Sequence, residues 1–319
     1  MVKRWLSAAA LGLLVACSAA PPRAGSEPAV DTPLIGPGRL FGGGFLAPPA
    51  PIVGAPRGPG TGMFVKLVAP TALALRGNEM LVLDSASARL WRVDIGLQTL
   101  SPVAGAPTAP GTPLALGIDL SAWVLDAPAR QVLRFGRDGR LMQTFRGSAA
   151  APAPSTFALA DSGAALLVAD GTLGQWAEWR PVGAFATAVA ARADGARIGN
   201  VDALAATRDA VYVLDRAGGV VHKVRRDGQV LATFGRGELK QPSAIAVDRF
   251  DRLFVVEAFD RTLKVLREGE PTAAFTAQQL GVLQIGAIAI DERTLAVADP
   301  LAGQVALLPL QLPREGRQP

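Results

Sequence analysis

The sequence is poor in the side chains that most often carry out chemistry. Its 319 residues include one cysteine, Cys17, and one histidine, His222. A single cysteine cannot form a disulfide within the chain, and a single histidine excludes a zinc site built from several imidazoles. His222 also has no acidic partner nearby in sequence to activate a nucleophile, so we expect it to be a solvent-facing strand residue. We therefore expect a noncatalytic protein.

Concentrated positive charge is also lacking. The chain has 32 Lys and Arg against 27 Asp and Glu, and the small excess is spread along it without a cluster. A surface that binds phosphates needs basic residues concentrated on one face. Nucleic acid is therefore not an expected partner.

A long apolar run is absent too. Lys3 and Arg4 precede an apolar stretch from Trp5 to Val15, which is shorter than the roughly 20 residues needed to cross a bilayer. Basic residues, a short apolar core and small residues before Cys17 are typical of a secretory signal. We predict a signal peptide at residues 1–16.

The end of this signal resembles the lipobox of bacterial lipoproteins. The four residues are Leu14-Val15-Ala16-Cys17. The resemblance implies that Cys17 becomes the acylated first residue of the mature chain, with palmitate among the expected acyl groups. Ser18, which is not Asp, implies export to the outer membrane, facing the periplasm or the exterior. The alternative is an ordinary cleavage site with a free thiol nearby.

Residues 17–60 are dominated by Pro, Gly and Ala and show neither helical nor strand periodicity. Such composition predicts a flexible tether. Leu40-Phe41 and Phe45-Leu46 are apolar enough that docking on the folded domain or on a partner is the alternative.

Beyond residue 60 the chain repeats itself, and self-similarity at a fixed period indicates a repeat architecture. An apolar strand ending in an acid recurs six times at intervals of 42 to 45 residues. The six acids are Asp84, Asp126, Asp170, Asp215, Glu257 and Asp299. Four short strands per period, with no helical pattern between them, predict an all-β, six-bladed β-propeller with four-stranded blades at residues 61–310. Residues 311–319 are predicted to be a tail.

The parts of each repeat support this fold. Inner strands alternate Ala with larger residues, as expected where blades converge on an axis, and second strands are apolar throughout, as in sheets covered on both faces. Asp138-Gly139 and Asp227-Gly228 predict type I′ hairpin turns. The sixth repeat has no fourth strand of its own, and we expect MFVKLV at residues 63–68 to supply it and close the ring.

One repeat resembles the NHL-repeat six-bladed propellers. FGRGELKQPSAIAVD at residues 234–248, followed by RLFVVEAFDRTLKVL, matches the pattern of that family. The resemblance extends over about residues 61–310. The Asn-His-Arg stretch that the family places after the acid is missing in every repeat, and only Arg89 and Arg261 resemble part of it.

The six acids are the first candidate site. Each ends a second strand, so all six should lie at one face around the axis and could hold a cation or a basic partner. The alternative is that each carboxylate accepts backbone N–H bonds in its own loop, or pairs with a nearby arginine. The candidate arginines are Arg89, Arg130, Arg216 and Arg261.

Asn200 and Asp202 are a second candidate. They lie two apart in the fourth repeat, which would place both on the same side of an inner strand. With a third acid they could bind Ca²⁺ or a similar hard ion. This keeps open a metal-dependent hydrolase or lyase, the chemistry implied by resemblance to metal-binding propeller lyases and lactonases. The alternative is a polar start to a strand lining a watery channel.

Four tryptophans leave a third hypothesis open, a surface that binds a sugar or a cofactor. They are Trp91, Trp123, Trp176 and Trp179. The spacing of Trp176 and Trp179 after their acid favours packing between blades instead.

The sequence thus favours an outer-membrane lipoprotein acylated at Cys17, whose propeller is a noncatalytic scaffold for envelope proteins. We expect a monomer with no resident cofactor. The membrane, through the acyl anchor, and an envelope protein are the expected partners.

Overall fold

The structure is a computed structural model that describes residues 34–47, 62–146, 153–160, 165–171, 174–179, 189–190, 192–193, 196–198 and 200–311. The described residues contain strands, turns and irregular segments and no helix. None of them, therefore, forms a helix long and apolar enough to cross a membrane. Six small sheets form a six-bladed β-propeller, which confirms the predicted fold class.

The strands follow the predicted period. In chain order they are β1 (Arg39–Phe41), β2 (Gly43–Leu46), β3 (Phe64–Lys66), β4 (Pro70–Arg76), β5 (Glu79–Asp84), β6 (Arg89–Asp94), β7 (Thr99–Pro102), β8 (Leu114–Leu116), β9 (Ala122–Asp126), β10 (Gln131–Phe135), β11 (Leu141–Arg146), β12 (Thr156–Ala160), β13 (Ala165–Asp170), β14 (Gln175–Trp179), β15 (Val189–Ala190), β16 (Arg192–Ala193), β17 (Ala196–Arg197), β18 (Ala203–Ala206), β19 (Ala210–Asp215), β20 (Val220–Arg225), β21 (Val230–Phe234), β22 (Pro242–Val247), β23 (Leu253–Glu257), β24 (Thr262–Arg267), β25 (Glu270–Thr276), β26 (Ala287–Ile290), β27 (Thr294–Asp299) and β28 (Gln304–Pro309).

Each blade is an antiparallel sheet whose inner edge is its first strand. The strand orders are β4-β5-β6-β7 in blade 1, β8 to β11 in blade 2, β12 to β15 in blade 3, β18 to β21 in blade 4, β22 to β25 in blade 5 and β26-β27-β28-β1 in blade 6. Blade 1 continues outward through β2 and β3, and β16 and β17 form a separate hairpin between blades 3 and 4. The turn between the first and second strands of a blade is called its AB turn, and the turn between the second and third strands is called its BC turn.

The hydrophobic core is divided among the junctions between blades. Each of six buried clusters joins side chains from two neighbouring blades. In the junction of blades 2 and 3, Phe145 packs between Trp123 and Trp179 with ring centroids 5.2 and 4.6 Å away. Leu81 and Val82, which point to opposite faces of β5, are both fully buried. Every blade therefore needs two neighbours to bury its apolar faces.

The last blade is completed by an N-terminal strand, as predicted, but the strand is not the expected one. Arg39–Phe41 pairs with β28, joining Arg39 to Leu307 and Phe41 to Val305. The prediction for residues 63–68 is wrong, because Phe64–Lys66 pairs with β2 on the outside of blade 1. The predicted tether is also wrong over residues 39–46, which form β1 and β2.

Glycine explains how this segment reaches both blades. A Cβ on Gly38 would lie 2.2 Å from the carbonyl oxygen of Leu307, and one on Gly44 would lie 2.3 Å from that of Gln98. A side chain at either position would collide with the neighbouring backbone. β1 therefore lies against blade 6, and β2 pairs in parallel with β7 of blade 1, so one short segment crosses the junction where the ring closes.

We predict that Gly44→Ala destabilises the protein by about 1–3 kcal/mol, because the added methyl group forces β2 away from β7. Gly42→Ala is the matched control, since its nearest neighbour would be the carbonyl oxygen of Gly303 at 3.9 Å. Urea unfolding measures both free energies. Equal losses in the two variants would contradict this account of the segment.

The hairpin turns at Asp138-Gly139 and Asp227-Gly228 lie where they were predicted, but their type differs. Only the glycines have positive φ, 84° and 95°, whereas a type I′ turn needs positive φ at both central residues. The register shifts by one residue beside each turn. The skipped residues are Met142 and Leu231, so each turn is followed, three residues after its glycine, by a bulge in the outer strand. Such a bulge increases the local twist.

Six equivalent positions in the BC turns share a left-handed backbone. Each lies four residues after the acid that ends the second strand; their φ values are 49° at Ala88, 48° at Arg130, 58° at Gly174, 61° at Gly219, 57° at Arg261 and 65° at Gly303. Side chains in this conformation cost about 1–2 kcal/mol. Three blades use glycine and three tolerate the strain.

We expect Ala88→Gly to stabilise the protein by about 0.5–1 kcal/mol, since glycine adopts this conformation without steric cost. Ala86→Gly, at an exposed position of the same turn without positive φ, should instead destabilise by about 0.4–1 kcal/mol. Thermal unfolding of both variants distinguishes the two effects, and a loss of stability in Ala88→Gly would refute the strain.

Candidate functional site

A cavity lies on the propeller axis. It has a volume of about 1100 Å³ and is lined by residues of all six inner strands. The walls are mostly aliphatic, for example Leu73, Leu204 and Ile288. Because each inner strand pairs with its second strand on one side only, the backbone N–H and C=O groups of its free edge are also available along the axis.

Charge is confined to the mouth of the cavity, where the AB turns lie. The lining includes Arg76, Arg208, Asp209, Asp248, Arg249, Asp251, Asp291 and Glu292. Several of these residues connect neighbouring blades. Asp251 pairs with Lys223 at 2.7 Å, Arg249 lies 3.8 Å from Glu292, and Asp291 accepts a hydrogen bond from the Gly77 backbone N–H at 2.6 Å. Arg208 and Asp209 are exposed on the rim.

Two acidic groups show how the environment controls charge near this mouth. Burial, together with the negative charge of Asp251, raises the pKa of Tyr212, so its phenol stays protonated. Burial opposes ionisation of Asp119, but hydrogen bonds from Ser121 and Arg134 outweigh it and hold the pKa of this carboxyl below its usual value. Both groups thus keep a fixed charge state at neutral pH.

The junction of blades 1 and 2 near this end contains a buried ion-pair network. The Arg92 guanidinium donates to the Glu79 carboxylate at 2.7 Å and to the Leu120 carbonyl at 2.8 Å, and Arg137 of blade 2 pairs with the same glutamate. The side chains of Glu79 and Arg92 are 5% and 2% exposed. Removing one partner of such a pair leaves an uncompensated buried charge, so the network fixes how the two blades meet.

The six acids lie at the opposite end of the propeller. Asp84 pairs in register with Pro70 at the start of β4, whereas Arg76 at the cavity mouth ends that strand. Three of the acids are fully buried and accept backbone N–H bonds from the loop that enters their own blade. Asp84 binds Val68 and Ala69, Glu257 binds Lys240 and Gln241, and Asp299 binds Leu283 and Gln284.

The other three acids are engaged as well. Asp126 accepts from the Ala129 backbone N–H at 3.3 Å and from the Gln131 side chain at 2.7 Å. Asp170 pairs with Arg130 at 2.5 Å, and Asp215 accepts from the Gly218 backbone N–H at 2.8 Å. These contacts are of the kinds described by the alternative interpretation of the acids, which assigns them to loops and arginines. Of the four candidate arginines, Arg130 forms an ion pair with one of the six acids.

Asn200 and Asp202 do not lie on the inner strand, which begins at Ala203. Both are exposed, and the Asp202 carboxylate accepts a hydrogen bond from the Arg216 backbone N–H at 2.7 Å. The expectation that they share one side of a strand is therefore wrong. Within the residues that the structure describes, no group of three or more His, Cys, Asp or Glu side chains is arranged to hold a metal ion. Cys17 lies outside the described residues.

His222 is buried, so the expectation that it faces solvent is wrong. It is 8% exposed on β20, and its Nδ1 lies 2.9 Å from the Thr233 hydroxyl on the adjacent strand. Burial is the main cause that lowers its pKa. His222 pairs with Val213 and lies on the same face of blade 4 as Val224, and both valines belong to the cluster between blades 3 and 4. This face is covered by another blade, which alternation along the strand alone does not show.

The tryptophans are core residues, as their spacing favoured. Trp91, Trp123, Trp176 and Trp179 are all less than 10% exposed, and each belongs to a cluster between blades. These four side chains leave no aromatic surface for a ligand.

Comparison with known proteins identifies the fold and nothing narrower. No protein-family model matches the chain, and no curated protein matches it. Among solved structures, the virginiamycin B lyase from Staphylococcus aureus shares 10% identity over 76% of this chain and 96% of its own, with a TM-score of 0.53. A gluconolactonase from Xanthomonas campestris shares 15% identity over 76% and 87% of the two chains, with a TM-score of 0.57.

A further similar structure is not described as an enzyme. The WD40 β-propeller domain of Doa1 shares 12% identity over 78% of this chain and 83% of its own, with a TM-score of 0.54. Similarity at these identities reports the shared architecture, and one architecture serves many functions. The chain therefore has the propeller fold that lyases, a gluconolactonase and a WD40 domain also have.

We predict that acidification through the ordinary histidine pKa of 6.5 destabilises the protein through His222. The unfolded chain takes up a proton near the ordinary value of 6.5, while the folded protein takes it up at lower pH. As the pH falls through this value, the unfolded state therefore binds more protons than the folded state. The free energy of unfolding then decreases as the pH decreases. His222→Gln, which keeps a hydrogen-bonding side chain, should flatten the dependence. The urea midpoint at several pH values measures it, and an unchanged slope in the variant would contradict the assignment.

Proposed function

We propose that this chain is a lipoprotein anchored through Cys17 in the outer membrane, with an NHL-type propeller that acts as a noncatalytic binding scaffold for envelope proteins. The observation that carries the proposal is the composition of the axial cavity. Aliphatic walls and free strand edges are suited to apolar side chains and to backbone groups of a protein segment. The charged mouth supplies the polar rim that is typical of recognition sites.

The construction of the mouth supports binding more than catalysis. Recognition requires a surface held in one geometry, since ordering flexible groups on binding reduces affinity. The pairs Lys223 with Asp251 and Arg249 with Glu292 connect different blades and hold the rim in one shape. Arg208 and Asp209 are exposed there and are available for a partner.

The test is photo-crosslinking in living cells, with a photoreactive amino acid in place of Arg208 on the rim. We expect one adduct of defined mass that is lost when Cys17→Ala removes the acylation site. The same amino acid in place of Leu231, which is 50% exposed on an outer strand, should give no such adduct. Equal adducts at both positions, or none at the rim, would argue against the cavity as the binding site.

Charge reversal at the rim tests the same site without a crosslinker. Arg208→Glu combined with Arg249→Glu should reduce recovery of the crosslinked partner at least about tenfold, because rim charges orient the partner. Arg140→Glu is the control, since Arg140 is 84% exposed on an outer turn. If the double variant bound the partner as well as the control did, the rim would not be the recognition surface.

A further inference from the structure

Four large apolar side chains are exposed on the face where the six acids lie. Val68, Phe259, Leu283 and Leu301 are 55%, 58%, 70% and 70% exposed. We call them the apolar tips. Val68 and Leu283 lie in the loops that enter blades 1 and 6, and Phe259 and Leu301 lie in the BC turns of blades 5 and 6. Exposed apolar residues grouped on one face mark a surface that contacts a protein or a membrane.

The tips of blades 6 and 1 are neighbours. The backbone N–H groups of Leu283 and Leu301 both donate to the Asp299 carboxylate, at 2.6 and 3.2 Å. In the same turn, a Cβ on Gly303 would lie 3.0 Å from the carbonyl oxygen of Val68. The three tips therefore belong to one continuous area that crosses the junction where the ring closes.

The backbone beneath every tip is fixed. Val68 donates its N–H to Asp84 at 2.9 Å, and Phe259 donates to Glu257 at 3.2 Å. With Asp299 these are the three fully buried acids, each 0% exposed. Buried, hydrogen-bonded carboxylates hold the loops in one conformation, so the tips are presented to solvent by a rigid support.

Smaller or polar side chains take these places in blades 2 and 4. The positions equivalent to Phe259 and Leu301 are Pro128 in blade 2 and Ala217 in blade 4, and the loop that enters blade 4 contains Asn200. Since the same turn geometry is used around the ring, large apolar residues are not required by the fold at these positions. Among the described residues, the apolar tips are a one-sided feature of blades 5, 6 and 1.

Basic residues surround the tips. The ammonium of Lys240 lies 4.3 Å from the ring centroid of Phe259, and Lys66, Arg236 and Arg261 are exposed on the adjoining segments. The exposed acidic residues there are Glu238 and Asp260, and the Asp260 carboxylate pairs with Lys264. The carboxylates of Asp84, Glu257 and Asp299 also lie beneath the tips, but they are buried and accept backbone N–H bonds. Among the exposed side chains around the tips, cations thus outnumber anions, and this surface suits a negatively charged partner.

We propose that the apolar tips insert into an anionic lipid surface, while the surrounding lysines and arginines contact the phosphate groups of the lipids. Protruding apolar side chains ringed by cations are the arrangement by which peripheral proteins bind such bilayers, since apolar burial and attraction to anionic headgroups add together. The tips lie on loops, and the axial cavity opens at the opposite end. This face therefore fits a deformable bilayer surface better than a rigid protein surface.

This inference goes beyond the proposed scaffold and does not depend on it. With the tips in the bilayer, the cavity mouth points away from the membrane and stays accessible.

The experiment is co-sedimentation of residues 17–319 carrying Cys17→Ala with lipid vesicles. This chain contains every described strand and has no acylation site. We expect it to bind vesicles of equimolar phosphatidylglycerol and phosphatidylcholine, to bind phosphatidylcholine vesicles more weakly, and to be released in part by salt. The double variant Leu283→Ser, Leu301→Ser should lower the partition coefficient at least about tenfold.

Two further variants complete the test. Lys240→Glu should weaken binding to the anionic vesicles and reduce its salt dependence, while Ile118→Ser, on an AB turn at the opposite end and 62% exposed, should bind like the parent. Unchanged thermal midpoints show that the variants are folded. Failure of the parent to bind anionic vesicles, or undiminished binding by the double variant, would overturn the proposal. The first result would leave a protein partner as the occupant of the face, and neither result bears on the cavity.

Discussion

Hydrogen bonds between Arg39–Phe41 and β28 are the interaction on which the rest of the propeller depends. Each blade buries its two faces against two neighbours, so the apolar clusters exist only in a closed ring. Backbone pairing is directional, whereas the clusters alone would tolerate small shifts between blades. The pairing of β1 therefore fixes the register of the last blade and, through it, the cluster between blades 6 and 1.

A second constraint operates at the face opposite the cavity mouth. Carboxylates at the ends of second strands are buried, so water cannot hydrogen-bond to them. A buried charge must instead be hydrogen-bonded by the protein. Asp84, Glu257 and Asp299 meet this need by accepting N–H groups from the entering loops. Buried carboxylates thus fix the loops that enter blades 1, 5 and 6, while the exposed side chains on those loops remain free to vary. At the other end, ion pairs between blades hold the mouth of the cavity, so the two faces are rigid for different reasons.

Much of this architecture could be predicted from the sequence, because its signals are periodic. The acid-terminated strands predicted six blades, and the apolar second strands predicted sheets covered on both faces. What escaped prediction depends on contacts between distant segments. β1 and β2 bind largely through backbone groups and require glycine at positions such as Gly38 and Gly44, which in sequence looks like a linker. The burial of His222 comes from a neighbouring blade, and the axial cavity is formed by strands from every repeat, so no single repeat contains its pattern.

The position of the closing strand has a consequence for how the chain acquires its structure. Arg39 pairs with Leu307, so β1, the first described strand in chain order, finds its place only after β28, the last described strand, has been synthesised. Until then blade 6 lacks its outer strand, and its partner strand presents unsatisfied amides. Contacts between such distant segments slow folding and prolong the lifetime of aggregation-prone intermediates. The pairing of β1 with β28 is therefore expected to be a late and slow step in the folding of the propeller.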